Sequence, residues 1–232
     1  ALWQDVPGRP TRDIDLLGFG TVSHDRLRDV FASVCNADVI DDGLRFDPES
    51  IQTDDIRDDQ EYHGIRLRLA GFLGKARIAI QIDVGFGDAV TPPPESIEYP
   101  AILDFPSPQL RAYHPATAVA EKLNALVELG IMNSRMKDFY DMHLILTHMD
   151  IEEEILRAAI RETFRRRKSE IPQEMPIAFT PEFWLEESKG LQWNAFLRRS
   201  LLSDFGLGLA EVLTDLRDRL WPVLESLRNE CS

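Results

Sequence analysis

The sequence predicts an α+β fold, with a small mixed sheet in its first half and helices in its second. Apolar and polar residues alternate in the first half, most clearly over residues 64–73 and 76–84, which is typical of paired strands. After His114 and Pro115 the apolar residues recur at helical spacing and continue to do so. A boundary placed at that change gives a core of residues 1–112 and a helical part of residues 113–232.

The composition indicates a globular protein of one large or two small domains. Of its 232 residues, 44% are hydrophobic, and the formal net charge is -14, which disfavours broad attraction to nucleic acid but allows a local basic site. Cys35 and Cys231 lie far apart, with no metal-ligand spacing. Because no run approaches the roughly 20 apolar residues of a membrane span and residues 1–5 resemble no signal peptide, we expect no membrane association and a cytoplasmic protein.

The first half opens with a loop over residues 1–12 and then a strand beginning at Asp13. Ser23 is placed to cap a helix whose apolar positions are spaced i, i+3, i+4, i+7. The acidic segment 38–59 predicts irregular chain with one or two edge strands. Residues 64–73 and 76–84, separated by Gly74 and Lys75, predict an antiparallel hairpin. Tyr99 to Phe105 is interpreted as a further short strand.

The second half predicts a series of helices. The first extends from Pro115, a residue favoured at a first helical position, to Gly130, a residue favoured just past a helix end. A second helix starts near Ser134, and a third is predicted to begin with a capping box of Asp150 and Glu153. Two or three more helices are predicted from residue 180 onward.

The acidic residues of the first half suggest a metal-binding site. Asp13 and Asp15 are two apart in a strand, so both carboxylates lie on one face. Asp83 ends the second strand of the predicted hairpin. If these strands pair, the three carboxylates converge, as metal-assisted phosphoryl or nucleotidyl transfer requires. Lys122 is the best-placed cation for a triphosphate, and Asp141 or Asp138 would orient the attacking hydroxyl or hold Lys122.

Each of these residues also has a structural interpretation. An Asp-x-Asp pair is common in loops and at helix caps, and Asp83 could begin a turn with Gly85. Lys122 could be the solvated flank of its helix. Arg157, Arg161, Arg165 and Lys168 recur at helical spacing, so they form either a stripe that meets phosphate or a solvated face balanced by nearby glutamates.

Four segments in this order resemble the AbiEii/AbiGii toxin family of nucleotidyltransferases. They are Arg9-x-x-Arg12-Asp13-Ile14-Asp15-Leu16, Ile82-Asp83-Val84-Gly85-Phe86-Gly87-Asp88, Glu121-Lys122-Leu123-Asn124-Ala125-Leu126 and Arg135-Met136-Lys137-Asp138-Phe139-Tyr140-Asp141. The resemblance implies a DNA polymerase β-like nucleotidyltransferase core with a helical C-terminal part.

The same resemblance assigns roles to particular residues. Asp13 and Asp15 match the family's metal-binding pair, Asp83 its second acidic motif, and Lys122 and Asp141 its lysine and aspartate motif. With Asp138 and Arg12 as further nucleotide contacts, these residues would bind Mg²⁺ or Mn²⁺ and an NTP.

The resemblance also implies a biological setting. Members are toxins of bacterial toxin-antitoxin and phage-defence systems, some transfer nucleotides to tRNA acceptor ends, and the partner is commonly a winged-helix antitoxin. The expected activity is therefore transfer of NMP from an NTP to an RNA, for example a tRNA 3′ end.

One part of the family pattern is not found in this sequence. The family has a Gly-Gly or Gly-Ser turn upstream of the Asp-x-Asp strand, whose amides hold phosphate. Either the sequence is part of a longer chain that contains the turn, or this member has lost it. The second case predicts an alternative function, a catalytically degenerate module of the same fold that binds nucleotide or protein.

Overall fold

The computed structural model describes residues 13–56, 64–86, 90–101 and 104–230, and these form two compact units that meet in sequence at Ala89 and Val90. We call residues 13–56 and 64–86 the sheet unit, and residues 90–101 and 104–230 the helical unit. Each contains its own hydrophobic cluster. The fold class is α+β, as predicted. The division into a core of residues 1–112 and a helical part of residues 113–232 stays a prediction.

The sheet unit contains one helix and a four-stranded sheet of order β1-β4-β3-β2. Its elements are β1 (Asp13–Gly18), α1 (His24–Cys35), β2 (Leu44–Ile56), β3 (Gly64–Leu73) and β4 (Ala76–Phe86). β3 and β4 form the predicted antiparallel hairpin, and β1 pairs with β4 in parallel. The predicted helix cap is present, since Ser23 Oγ accepts a hydrogen bond of 3.3 Å from the amide of Arg26.

The alternation of residues gives this sheet one apolar and one polar face. Leu67, Leu69, Ile82 and Val84 form the buried cluster, against which Leu27 and Phe31 of α1 pack. The residues between them in β3 and β4 include Arg66, Arg68 and Asp83, whose side chains lie on the opposite face. These charged residues of β3 and β4 therefore lie on the side of the sheet opposite to α1.

The segment 38–59 contains one of the predicted edge strands, the long strand β2. The segment is therefore more regular than expected, although its residues 57–59 lie outside the described chain. β2 pairs with β3 along most of its length, with a register shift between Asp47 and Gln52. Pro48 lies in this shifted stretch, where it can be accommodated because a bulge leaves residues without a ladder partner.

The helical unit combines a two-stranded sheet with six helices. Its elements are β5 (Glu95–Glu98), β6 (Gln109–Ala112), α2 (Pro115–Leu129), α3 (Met136–His148), α4 (Glu153–Arg166), α5 (Pro181–Trp184), α6 (Glu187–Arg199) and α7 (Leu209–Glu230). The first predicted helix is confirmed at both ends, with Pro115 in its first turn and Gly130, at φ +49°, following its last residue. Fully buried side chains, among them Leu123, Phe139 and Leu216, form its core.

Two predictions for this unit were wrong. No described residue from Tyr99 to Phe105 is in a strand; the strand lies earlier, at Glu95–Glu98. α4 begins without the Asp150 and Glu153 capping box, because its N-cap residue is Glu152 and no side chain caps it.

Candidate functional site

Two of the predicted carboxylates lie side by side in the sheet unit. β1 and β4 pair so that Asp15 is in register with Asp83. Residues paired in this way are on the same face of neighbouring strands about 4.8 Å apart. The strand pairing on which the sequence argument depended is therefore present.

Asp13 extends this arrangement along β1. It is in register with Gln81 of β4, and its position two residues before Asp15 places it on the same face. Its side chain is outside the described part of the structure, as is the whole of Arg12, so the nucleotide contact predicted for Arg12 stays a prediction.

The carboxylate of Asp83 is bound by an arginine of the neighbouring strand. Arg66 of β3 is in register with Asp83. Its Nε donates to Asp83 Oδ1 at 2.8 Å and its Nη2 donates to Asp83 Oδ2 at 2.6 Å. Such two-pronged, charge-assisted pairing is among the stronger side-chain interactions. Both Asp83 oxygens accept a hydrogen bond from one guanidinium.

The chemistry of these residues fits a divalent cation. Carboxylate oxygens are the ligands that Mg²⁺ and Mn²⁺ prefer, and Asp15 and Asp83 present them from adjacent strands. Among the described side chains, which do not include that of Asp13, no three His, Cys, Asp or Glu form a metal-ligating group. The assignment of Asp13, Asp15 and Asp83 as metal ligands stays a prediction.

A second charged cluster lies in the helical unit, between α2 and α3. Lys122 Nζ donates to Asp138 Oδ1 at 2.8 Å and lies 3.5 Å from Asp141 Oδ2. Asp138 and Asp141 are one helical turn apart on α3, so both can reach the same ammonium. The structure thus brings together the three residues that the sequence singled out in this half.

Asp138 is the buried centre of this cluster. Its side chain is 4% exposed and also pairs with Arg135, whose Nε lies 2.8 Å from Asp138 Oδ2. Arg135 Nε and Asp138 Oδ2 form an ion pair but no hydrogen bond. Asp138 Oδ2 therefore has no hydrogen-bond donor among the described residues. Two cations therefore converge on one carboxylate.

These carboxylates fix the charge state of Lys122. Burial by itself lowers the pKa of the ammonium, but the charges of Asp138 and Asp141 and the hydrogen bond to Asp138 outweigh it and raise the pKa of Lys122 above its usual value. These contacts therefore favour the charged form of Lys122, which is the form that would contact a phosphate.

The two clusters belong to different compact units. The sheet unit supplies Asp15, Asp83 and Arg66, and the helical unit supplies Lys122 and its carboxylates. Convergence of both clusters on one substrate stays a prediction.

The basic stripe of α4 is largely paired with acids. Arg157 and Arg161 both bind Glu230 of α7 at 2.9 Å, and Arg165 binds Glu162 at 2.7 Å. Ion pairs of this kind compete with phosphate for the guanidinium groups. The contacts therefore favour the interpretation of this stripe as a solvated helix face.

Sequence reasoning missed Arg66, although a signal for it was present. The hairpin turn consists of Gly74 and Lys75, with Leu73 paired to Ala76. Counting outward from this turn places Arg66 opposite Asp83. Register follows directly from a two-residue turn, so the partner of Asp83 could have been identified from the sequence.

Comparison with known proteins finds one matching family and two similar solved structures. The family model for the nucleotidyl transferase AbiEii toxin of a type IV toxin-antitoxin system matches residues 1–211. No curated protein matches the chain. Among solved structures, JHP933 from Helicobacter pylori is 13% identical, with a TM-score of 0.48 over 96% of this chain and 79% of that one. A second H. pylori protein, provisionally described as a nucleotidyltransferase, is 12% identical, with a TM-score of 0.49 over 95% and 81%.

Proposed function

The chain belongs to the AbiEii nucleotidyl transferase toxin family of type IV toxin-antitoxin systems, and on that premise we propose that it transfers NMP from an NTP to an RNA acceptor in a metal-dependent reaction. The observation that carries the proposal is the register of Asp15 with Asp83 on adjacent parallel strands. It places two carboxylates, the ligand type that Mg²⁺ and Mn²⁺ prefer, on the same face of neighbouring strands.

In this proposal the residues have separate tasks. Asp13, Asp15 and Asp83 hold Mg²⁺ or Mn²⁺, which neutralises the triphosphate when it is bound. Lys122, kept charged by Asp138 and Asp141, contacts the phosphates, and Arg12 and Asp138 assist in binding the nucleotide. Asp141 orients Lys122 or the attacking hydroxyl.

The proposed partners follow from the family. A toxin of a type IV toxin-antitoxin system implies an antitoxin, which we propose to be a winged-helix protein. Phage defence is the proposed biological role, and a reaction of NTP with RNA, for example a tRNA 3′ end, would take place in the cytoplasm. No described helix is long and apolar enough to cross a membrane.

Transfer of labelled nucleotide tests the activity directly. The chain is incubated with Mg²⁺, each labelled NTP in turn and total tRNA, and the label in RNA is compared between wild type, Asp15→Asn and Asp29→Asn. Asp29 is an exposed carboxylate of α1, so its replacement is a matched control. We expect Asp15→Asn to lose at least about 100-fold in rate, as is usual when charge stabilisation at a reacting centre is removed. Equal labelling by wild type and Asp15→Asn would refute the role of Asp15.

One observation favours the alternative of a degenerate binding module. Both oxygens of Asp83 are bound by Arg66, an arrangement that a purely structural ion pair would also show. A module of this kind would bind an NTP but label no RNA, with or without Mg²⁺. Equilibrium binding of a fluorescent NTP measured beside the transfer assay separates the two functions.

A further inference from the structure

Arg66 holds the carboxylate of Asp83 in a way that matters for any cation at this site. Its two hydrogen bonds occupy one lone-pair direction on each Asp83 oxygen. A metal ion that approached these oxygens would also approach the guanidinium. Two positive charges close together repel strongly where water is partly excluded. The Asp83 side chain is 18% exposed, so screening by water is incomplete.

We propose that Arg66 controls access of the divalent cation to Asp83, by competing with the metal for this carboxylate. The proposal depends on the metal site of the proposed function and adds a residue that opposes metal binding. In the free protein Arg66 compensates the charge of Asp83. When the cation binds, Arg66 releases at least one oxygen and its guanidinium turns away from the metal.

The surroundings of Arg66 allow such a release. Its side chain is 34% exposed, so a displaced guanidinium reaches water without crossing the apolar core. The main chain of β3 is paired on both sides, with β2 and β4, so only the side chain has to move. The exchange therefore requires no rearrangement of the sheet.

Arg68 provides an internal comparison. It is two residues from Arg66 on β3 and lies on the same face, but it is in register with Gln81 and donates to Asp54 of β2 at 2.5 Å. Removing Arg68 takes the same positive charge from the same face without releasing Asp83. Any effect of Arg66 beyond that of Arg68 must come from direct competition for Asp83.

Binding of Mn²⁺ to the whole chain, without nucleotide, tests the proposal. Free Mn²⁺ is measured by electron paramagnetic resonance during titration of wild type, Arg66→Gln and Arg68→Gln. We expect Arg66→Gln to bind Mn²⁺ about three- to tenfold more tightly than wild type, the effect expected when a partly exposed ion pair that competes with binding is lost. Arg68→Gln should change the affinity by less than about twofold.

Two further variants show that the effect comes from Asp83. In an Asp83→Asn background, Arg66→Gln should no longer tighten Mn²⁺ binding, because the contested ligand is gone. Arg66→Lys keeps the charge but cannot take both oxygens at once, so it should tighten binding less than Arg66→Gln does. It also keeps the proposal testable if Arg66→Gln does not fold, which circular dichroism will show.

The outcomes distinguish this proposal from the function on which it depends. If wild type binds Mn²⁺ and the Arg66 variants bind it no more tightly than Arg68→Gln, the competition is refuted and the metal site remains. An equal tightening in the Asp83→Asn background also refutes it. If neither wild type nor the Arg66 variants bind Mn²⁺, the competition and the metal-dependent function are both overturned.

Discussion

Replacement of Asp138 by Asn should destabilise the helical unit more than replacement of the lysine it binds. Asp138 is 4% exposed and forms ion pairs with Lys122 at 2.8 Å and with Arg135 at 2.8 Å. In Asp138→Asn both cations lose their nearest negative charge, while the amide keeps the size of the side chain and can still accept one hydrogen bond. The perturbation is therefore mainly electrostatic.

The magnitude follows from the contacts that remain. Removing one partner of a buried ion pair costs about 3–5 kcal/mol. One retained hydrogen bond offsets about 1 kcal/mol of this, and Lys122, 24% exposed, still has Asp141 at 3.5 Å. We expect Asp138→Asn to lower the free energy of unfolding by about 2–3 kcal/mol. Lys122→Met should cost about 1–2 kcal/mol, because Asp138 then keeps Arg135 as its partner.

Urea unfolding followed by tryptophan fluorescence measures this difference in stability within the helical unit. Trp184, Trp193 and Trp221, three of the four tryptophans, lie in the helical unit. Asp218→Asn is the control, because Asp218 is an exposed carboxylate paired with its neighbour Arg217 and should contribute less than about 1 kcal/mol. A loss in Asp138→Asn no greater than in the control, or smaller than in Lys122→Met, would refute this account of the cluster.

Two further predictions concern polar groups that hold the helices together. Lys189 is 4% exposed and donates to the main-chain carbonyls of residues 131 and 133. Lys189→Met should lower the free energy of unfolding by about 2 kcal/mol because these carbonyls lose their donor, whereas Lys137→Met, at an exposed position, should lower it by less than about 0.5 kcal/mol. Equal unfolding midpoints for the two variants would contradict this. Burial acts to raise the pKa of Asp215, but hydrogen bonds from Arg219 and His143 outweigh it and lower the pKa below the unfolded-state value of 3.8. The stability that Asp215 contributes is therefore complete above that pH and is lost as the pH falls through the folded-state pKa. In urea unfolding, the difference in stability between wild type and Asp215→Asn should shrink below about pH 4. A difference that grows on acidification would contradict the lowered pKa of Asp215.

The elements that the sequence predicted well are those whose signals are local. The hairpin of β3 and β4 combines a strict alternation with a turn that only a glycine adopts easily, Gly74 at φ +57°. α2 has a proline at its start and a glycine after its end. In both cases propensity, periodicity and end signals agree, which is the condition under which sequence alone determines an element.

The elements that it predicted badly depend on distant contacts. β5 is a four-residue strand, Glu95–Glu98, which pairs among the described strands with Gln109–Ala112 alone. It is too short and too polar for an apolar period to distinguish it from a loop. The more apolar stretch after Tyr99 is a better strand by composition, yet none of its described residues is in a strand. Similarly, Asp150 is a better N-cap by type than Glu152, but α4 begins after Glu152. Packing of the helix, which the local sequence does not encode, decides where it starts.

The candidate site shows the same distinction between residue type and register. Residue type and position within a strand or helix pattern singled out Asp15, Asp83 and Lys122, since acids and a lysine in such patterns indicate phosphoryl chemistry. Their partners depend on register: Asp83 lies between Asp15 on one side and Arg66 on the other. One carboxylate thus faces both a second acid, which would share a cation with it, and an arginine, which makes that cation unnecessary. Because the first contact favours metal binding and the second opposes it, the affinity of this site for metal is set by the difference between them, and a single substitution in β3 should change it without altering any metal ligand.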